Sequence, residues 1–431
     1  MEENRKDSAI VLGAGLAGLS AGYHGGFPVY EAANYSGGAS YSYAVDGFVF
    51  DIGIHILQSK DDYFLSLLKN LNVDLVSRQR SGWIYSYGCL SRYPFQVNTS
   101  HLPWLVRARC VAGFIAAGKG NSPANYEQWM IQQFGPGFAS TFLIPYAEKF
   151  WGCSPSEMTF EWVGNRVPRP RLTEVIKGML ADQETKLGTH AYFQYPSDKG
   201  VGFAAIARAL EKKIEPVHYR MKATGIDPQT KTVIFNDGEK RVGYRRLIST
   251  IPLPELIRLL PQHPAEVKTA VERLRHNSIA VVNLGINRAV LTDKHWVHFP
   301  EKDISFFRIS FPGNFTDGLN PPETSSIQAE VSYDAAQPPE REELLQKVIS
   351  DLVKTGIIDG KDEILVKDVF YQKYGYVVYD HHRRDSVKTL HDYLNSLDIY
   401  PCGRYGAWEY LWSDEAMQSG RRTAESLGKR C

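Results

Sequence analysis

Ala9-Ile-Val-Leu-Gly-Ala-Gly-Leu-Ala-Gly18 is the stretch from which the rest of the chain is read. Ile10, Val11 and Leu12 form a short apolar run with β-branched members, as a buried strand requires. Gly13, Gly15 and Gly18 follow at G-x-G-x-x-G spacing, before the helix-compatible Leu19-Ser-Ala-Gly-Tyr23. Strand, glycine turn and helix in that order make a dinucleotide cradle. Gly13 permits the tight turn, Gly15 lets backbone approach a pyrophosphate, and Gly18 lets helix pack closely on strand. The free N–H groups at the helix start then face the phosphates.

Working outward, Phe27-Pro-Val-Tyr-Glu31 supplies a second strand ending in an acid, eighteen residues after Gly13. That is close to the spacing of about 20 at which a carboxylate holds an adenosine ribose. Six residues further stand Gly37-Gly38-Ala39-Ser40. A nicotinamide binder has no need of a second glycine pair there. The pair resembles the extended glutathione-reductase-type FAD signature, in which it passes close to the pyrophosphate and ribityl chain, so FAD is the expected cofactor.

The bulk properties bound the partners. With 431 residues the chain fits two or three domains and has room to bury a large cofactor. Its 49 basic and 48 acidic residues leave a net charge of +1, so no global field selects nucleic acid or anionic lipid, and a charged substrate must be met by a local cluster. Cys89, Cys110, Cys153, Cys402 and Cys431 form no C-x-x-C pair, which argues against a disulfide scaffold or a zinc site and fits a reducing cytosol. The charged Met1-Glu-Glu-Asn-Arg-Lys-Asp7 is no signal peptide, and Leu105 to Gly118, interrupted by Arg107 and Arg109, falls short of a membrane span. A small-molecule substrate is expected, and a homodimer is compatible with these numbers. The 24 tyrosines suit stacking and hydroxyl contacts around a ring-bearing ligand.

Along the chain, Tyr41 to Val49 alternates as a strand, Tyr63 to Leu71 is helical, and residues 82–97 read as a hairpin around Gly88. From His101 to about Met158 the pattern is helical, with Tyr126, Trp129, Met130 and Phe134 on one face and Gly135-Pro-Gly137 as a stop. Gly164-Asn-Arg-Val-Pro-Arg-Pro-Arg171 is a basic loop, and the polar, weakly periodic stretch to Lys199 is expected to be mobile. Strands resume at 214–219, 231–235 and 246–251; Ala280 to Ile286, Phe306 to Phe311 and Ile327 to Tyr333 make a second sheet, and Glu340 to Thr355 is an amphipathic helix. A helix from Asp385 to Leu397 precedes a final strand, glycine turn and helix at Ile399 to Leu427.

The expected fold is therefore α/β: a Rossmann-type, glutathione-reductase-like FAD-binding domain with a helical insertion and an antiparallel β-sheet substrate domain. The discontinuous FAD domain takes residues 1–80, 198–260 and 395–431. The helical domain with its mobile loop takes 99–197, and the sheet domain takes 81–98 and 261–394.

Several stretches together resemble the FAD-dependent amine oxidase and protoporphyrinogen oxidase superfamily, and within it the UDP-galactopyranose mutases. They are Gly13 to Glu31 with Gly37-Gly38, Gly53-Ile-His-Ile56, Tyr146-Ala-Glu-Lys-Phe-Trp-Gly152, Arg166-Val-Pro-Arg169, Ser249-Thr-Ile-Pro252, Phe307-Arg-Ile309, and Gly403-Arg-Tyr-Gly-Ala-Trp-Glu-Tyr410 with Asp414. The resemblance implies that Val217 meets the adenine end through backbone and that Gly403 and Arg404 sit by the pyrophosphate and ribityl chain. It implies too that Asp414 to Met417 start a helix facing the flavin. A helix N-terminus there stabilises the negative charge of a reduced flavin.

The same resemblance makes Arg166 or Arg169, with Arg308, a clamp on a substrate diphosphate, a task suited to guanidinium forks. Trp151, Tyr376 and Tyr410 are further substrate contacts. His55 follows the strand expected to pass over the isoalloxazine; its plain alternative is a core histidine bonded to backbone. The mutases carry a second histidine three residues later, where this chain has Gln58. Tyr371, Tyr374 and Tyr379 are weaker candidates than Tyr376, and Arg383-Arg384 reads as a solvated turn.

Two activities fit one cofactor. In one, reduced FAD attacks an anomeric carbon of a nucleotide sugar through N5, with no net redox change. In the other, oxidised FAD takes a hydride from a C–N or C–C bond. A non-catalytic binding module is disfavoured by how much of the signature is intact, and no hydrolase or metal motif occurs: the adjacent His381-His382 cannot chelate as an i, i+4 pair would.

Overall fold

The computed structural model describes residues 9–118, 122–164, 166–183, 191–214 and 216–428. The expectation for the N-terminal leader, and part of the expected mobile stretch (184–190), lie outside them. The strand Ala9–Leu12 is buried along its whole length and is the centre of a five-stranded parallel sheet. Arg246–Ser249 and then Ile399–Pro401 lie on one side of it, Val29–Tyr30 and then Val217–His218 on the other. A strand flanked on both edges and both faces must be apolar throughout, which is why Ala9-Ile-Val-Leu12 shows no alternation. Leu16–Gly25 is the helix that follows the glycine turn, and it packs on the C-terminal helix Ser413–Gly428. The approach is close: a Cβ on Gly420 would stand 1.9 Å from the Ala17 carbonyl oxygen.

The second large sheet has seven strands, in the order Ile364–Gln372, Ser278–Ile286, Ser325–Tyr333, Arg308–Ser310, Trp296–His298, Gly82–Ser86 and Cys89–Arg92. It is antiparallel apart from one parallel pair, Trp296–His298 with Gly82–Ser86. Its long strand Ser278–Ile286 sends alternate residues to two faces. Ala280, Val282 and Leu284 pack under the helix Arg341–Lys354 with Leu344, Leu345, Val348 and Leu352. Ile279 and Val281 face the other way, where Phe307, Tyr146, Phe150 and Tyr376 meet them. One strand thus builds a core on one side and a ligand wall on the other.

Three local expectations are revised. Tyr41 to Val49 is a hairpin rather than one strand: Ser42–Val45 and Phe48–Asp51 turn at Asp46-Gly47, both with positive φ. Gly135-Pro-Gly137 kinks the chain without stopping it. Gly135 leaves helical geometry at φ 79°, and helical structure then continues to Trp151. The glycines there serve packing, since a Cβ on Gly137 would stand 2.4 Å from the Arg109 carbonyl oxygen of the helix Trp104–Ala116. The weakly periodic stretch before Lys199 holds a helix, Leu172–Leu180, and a strand, Tyr192–Pro196, that pairs with Leu75–Gln79. The strand is ordered by pairing with a partner more than a hundred residues away, which local periodicity does not display.

Candidate functional site

A cavity of about 760 Å³ is enclosed by the glycine turn, the seven-stranded sheet and the helical segment 126–151. That is in the upper part of the ~300–1,000 Å³ usual for ligand pockets. One wall is backbone. Gly13 turns at φ 96°, and a Cβ there would strike the Thr250 hydroxyl at 2.2 Å; one on Gly18 would stand 1.9 Å from the Gly13 carbonyl oxygen. Gly15 differs. Its nearest atoms lie 3.9 Å from where a Cβ would sit, so its bareness serves the cavity and not the packing. Gly37 pairs with Gly15 as a single parallel bridge, and Gly37, Gly38, Ala39 and Ser40 line the cavity beside it. Glu31 accepts hydrogen bonds from the Ala14 N–H (2.7 Å) and the Ala33 N–H (2.8 Å), which aims its carboxylate along the same wall.

The opposite wall is made of side chains. Arg308 and Glu330 stand directly opposite each other on neighbouring antiparallel strands and form a two-pronged ion pair, with Nη2 to Oε1 at 2.9 Å and Nε to Oε2. Burial alone would lower the Arg308 pKa, but the Glu330 carboxylate beside it holds the guanidinium still more firmly charged. Arg308 is therefore a half-neutralised cation with part of its fork already used. Arg404 contrasts with it. Its guanidinium lies 4.9 Å from the ring centroid of Tyr376, 5.2 Å from that of Tyr410 and 5.8 Å from that of Tyr405. Its Nε and Nη2 are buried without a hydrogen-bond partner among the described residues. Arg166 donates to the Trp162 carbonyl at 2.6 Å, reaches Glu415 at 3.3 Å and covers the rings of Tyr410 and Trp412.

His55 lines the same cavity on the loop that follows the strand Phe48–Asp51. Its Nδ1 is 3.1 Å from the Gly53 carbonyl oxygen, which can only accept, so Nδ1 carries the proton and Nε2 is left as an acceptor. Burial pushes its pKa down to about 4, and the positive charges of Arg404 and Arg308 act in the same direction. Gly53 itself, at φ 76°, sits on the Arg308–Glu330 pair: a Cβ there would lie 3.0 Å from the Glu330 Oε1. Gln58, Trp151, Tyr376, Tyr410, Gly403 and Asp414 also line the cavity.

Four of the residues singled out from the sequence lie outside its wall. Arg169 is exposed and stacks on Phe114 at 5.0 Å, so of the two loop arginines only Arg166 faces inward. Val217 pairs with Val29 one strand behind the Glu31 wall, Gly18 is a packing position, and Met417 is buried with its carbonyl accepting from the Ser20 hydroxyl at 2.7 Å. The tyrosine-rich stretch divides likewise. Tyr371 donates to the Pro339 carbonyl, Tyr374 to Glu255, and the Tyr379 hydroxyl accepts the Tyr410 N–H, while Tyr376 faces the cavity. Arg383 is not solvated as expected: its Nε donates to the Trp408 carbonyl at 2.9 Å.

Several wall residues went unread in the sequence: Arg80, Tyr93, Trp162 and His298, with Tyr146 present only inside a longer motif; so did Glu330, the partner of Arg308. Tyr146 and His298 share a hydrogen bond at 2.8 Å, and burial holds His298 well below its ordinary pKa. The spacing Tyr146…Phe150-Trp151 on one helix face was the available signal for Tyr146; Arg80, in the polar run Arg78-Gln-Arg80, offers none.

These two walls, one for a dinucleotide and one charged and aromatic, define a flavoenzyme of the two-sheet kind. The chain belongs to the flavin containing amine oxidoreductase family, whose model matches residues 16–427, and it is an FAD-dependent enzyme. It is similar to the crystal structure of reduced UDP-galactopyranose mutase at 27% identity and a TM-score of 0.92, covering 98% of this chain and 94% of that one. Putrescine oxidase bound to putrescine matches at 18% identity and a TM-score of 0.68, over 99% of both chains. A CLA-producing fatty acid isomerase from P. acnes matches at 11% identity and a TM-score of 0.67, again over 99% of both; these last two show the fold alone. Among the described residues, no helix is long and apolar enough to cross a membrane and no group of His, Cys, Asp or Glu is arranged to hold a metal.

Proposed function

We propose that this flavoenzyme acts on a nucleotide sugar, without net oxidation, in the manner of UDP-galactopyranose mutase. The observation that carries the reading is the sign of the field at the side-chain wall. Arg166, Arg308 and Arg404 all line the cavity, the Arg166 Nε is buried with no hydrogen-bond partner among the described residues, and Arg404 and Arg308 both act on His55. A cationic amine entering such a site meets repulsion, whereas a diphosphate meets guanidinium forks.

FAD, when bound, supplies the electron-pair chemistry. The open Gly15 and the unpartnered Arg404 nitrogens fit its phosphate-rich body. In this reading the N–H groups after Gly13, the Gly37-Gly38-Ala39-Ser40 turn and Gly403 hold the pyrophosphate side, and Glu31 keeps lone pairs for ribose hydroxyls beyond the two backbone bonds it accepts. The helix that opens at Ser413-Asp414 directs its N-terminus toward the flavin. Arg166, Trp151, Tyr376 and Tyr410 position the diphosphate and sugar. His55, neutral and with Nε2 as acceptor, takes a hydrogen bond from a substrate hydroxyl without adding positive charge. The division into a discontinuous FAD domain (1–80, 198–260, 395–431), a helical domain and a sheet domain is supported by the parallel sheet, whose strands all come from those three segments.

Anaerobic incubation of reduced holoenzyme with UDP-hexoses tests the reading. Chromatography is expected to reveal an isomeric UDP-sugar with the flavin still reduced. Bleaching of oxidised flavin by an amine, with no isomer from any UDP-sugar, would establish hydride removal instead.

A further inference from the structure

We propose that the cavity contains a second anion subsite, centred on Arg80, that receives a carboxylate carried by the sugar of the substrate. The inference rests on the nucleotide-sugar reading and names the class of sugar. Arg80 lies in the two-residue link between the strands Leu75–Gln79 and Gly82–Ser86, lines the cavity, and stands 4.9 Å over the ring of Tyr93. Its neighbours in sequence and space have acids: Arg78 meets Asp317, Arg308 meets Glu330 and Arg166 meets Glu415. The Arg80 guanidinium has neither an ion pair nor a hydrogen bond among the described residues, and the group acting on it besides burial is the Tyr93 phenol. A ring face attracts a guanidinium but satisfies none of its five N–H donors. A half-buried fork left open toward a cavity is a site for an anion that the protein does not itself provide.

The position separates this anion from a diphosphate. Arg80 covers Tyr93, whose ring centroid lies 5.9 Å from that of His298, and His298 stands opposite Arg308 on the neighbouring strand, whereas Arg166 covers Tyr410 and Trp412. Arg80 therefore reaches Arg308 through Tyr93 and His298, apart from the rings that Arg166 covers. A single ligand that answers Arg166 with its diphosphate and Arg80 as well carries a second charge at its far, sugar end. The far group is a carboxylate and not a second phosphate, because the subsite offers one cation beside neutral partners: Tyr93, Gln96 and a His298 that burial keeps uncharged. One planar fork matches one carboxylate in shape and charge.

Binding of UDP, UDP-glucose, UDP-galactose, UDP-glucuronate and UDP-galacturonate to oxidised holoenzyme, read by calorimetry, tests the proposal in the natural chain and in Arg80→Met and Arg80→Lys. At least one uronate is expected to bind about 30-fold more tightly than its neutral counterpart, the lower range for losing one partner of a desolvated charge pair. Arg80→Met is expected to erase that preference while leaving UDP affinity unchanged, and Arg80→Lys to retain part of it. Equal affinity for acid and neutral sugars in the natural chain, with normal UDP binding, overturns the carboxylate subsite alone. No binding of UDP overturns the nucleotide-sugar reading and the subsite with it.

Discussion

The two walls of the cavity are built by different means. The cradle wall presents backbone: Gly13, Gly15, Gly37 and Gly38 come close because they have no side chains, and the parallel sheet behind them fixes where they stand. The facing wall presents side chains whose charge is set by partners, Glu330 for Arg308, Glu415 for Arg166 and, among the described residues, no carboxylate for Arg404 or Arg80. Backbone geometry tolerates little change and serves a fixed cofactor. Paired and unpaired charges are adjustable one residue at a time, which is how one fold accommodates unlike substrates.

The sharpest way to break this contrast is to uncouple a charge on the second wall. Glu330→Leu leaves the buried Arg308 guanidinium without its partner, and urea denaturation of the holoenzyme should register a loss of about 3–5 kcal/mol. A loss under about 1 kcal/mol would mean that water reaches the pair. Behind the first wall the corresponding change is Gly18→Ala. Its methyl group collides with the Gly13 carbonyl, so the helix must move, at a cost of about 1–3 kcal/mol in thermal unfolding, and the purified protein should contain less FAD.

Gly15→Ala sharpens the comparison from the other side. Gly15 has φ −71° and no close neighbour, so apoprotein stability should stay within about 0.5 kcal/mol while FAD affinity falls. Unchanged FAD affinity would show that nothing approaches the backbone there. The smallest expected effect is one of pH. His55 has a folded pKa near 4 against an ordinary 6.5, so its stabilising contribution is complete above about 6.5 and is lost as pH falls through 4. Its ring proton shift in NMR should therefore stay flat from pH 8 to 5; a midpoint above 6 would show the site to be wet.

The same contrast explains what could be read in advance. Gly13, Gly15, Gly18, Glu31 and the pair Gly37-Gly38 act through local spacing within one strand–turn–helix–strand unit, and local spacing is visible in sequence. The Arg308–Glu330 pair depends on the register of two antiparallel strands, and nothing in either segment states that register. Arg166 and Arg169 are three residues apart and chemically identical, yet one enters the cavity and the other stacks on Phe114, a difference decided by the tertiary course of Val167-Pro168. Gly135 read as a stop because the helix it packs against lies outside the local window.

The central claim, that a backbone-built FAD cradle faces a side-chain wall made for a nucleoside diphosphate, is tested most directly by titrating UDP against the absorbance of the oxidised holoenzyme, in the natural chain and in Arg166→Ala. Saturable perturbation of the flavin spectrum that weakens by roughly 30-fold or more in the variant is the predicted result. A holoenzyme whose spectrum UDP leaves untouched, with no heat of binding, would contradict it.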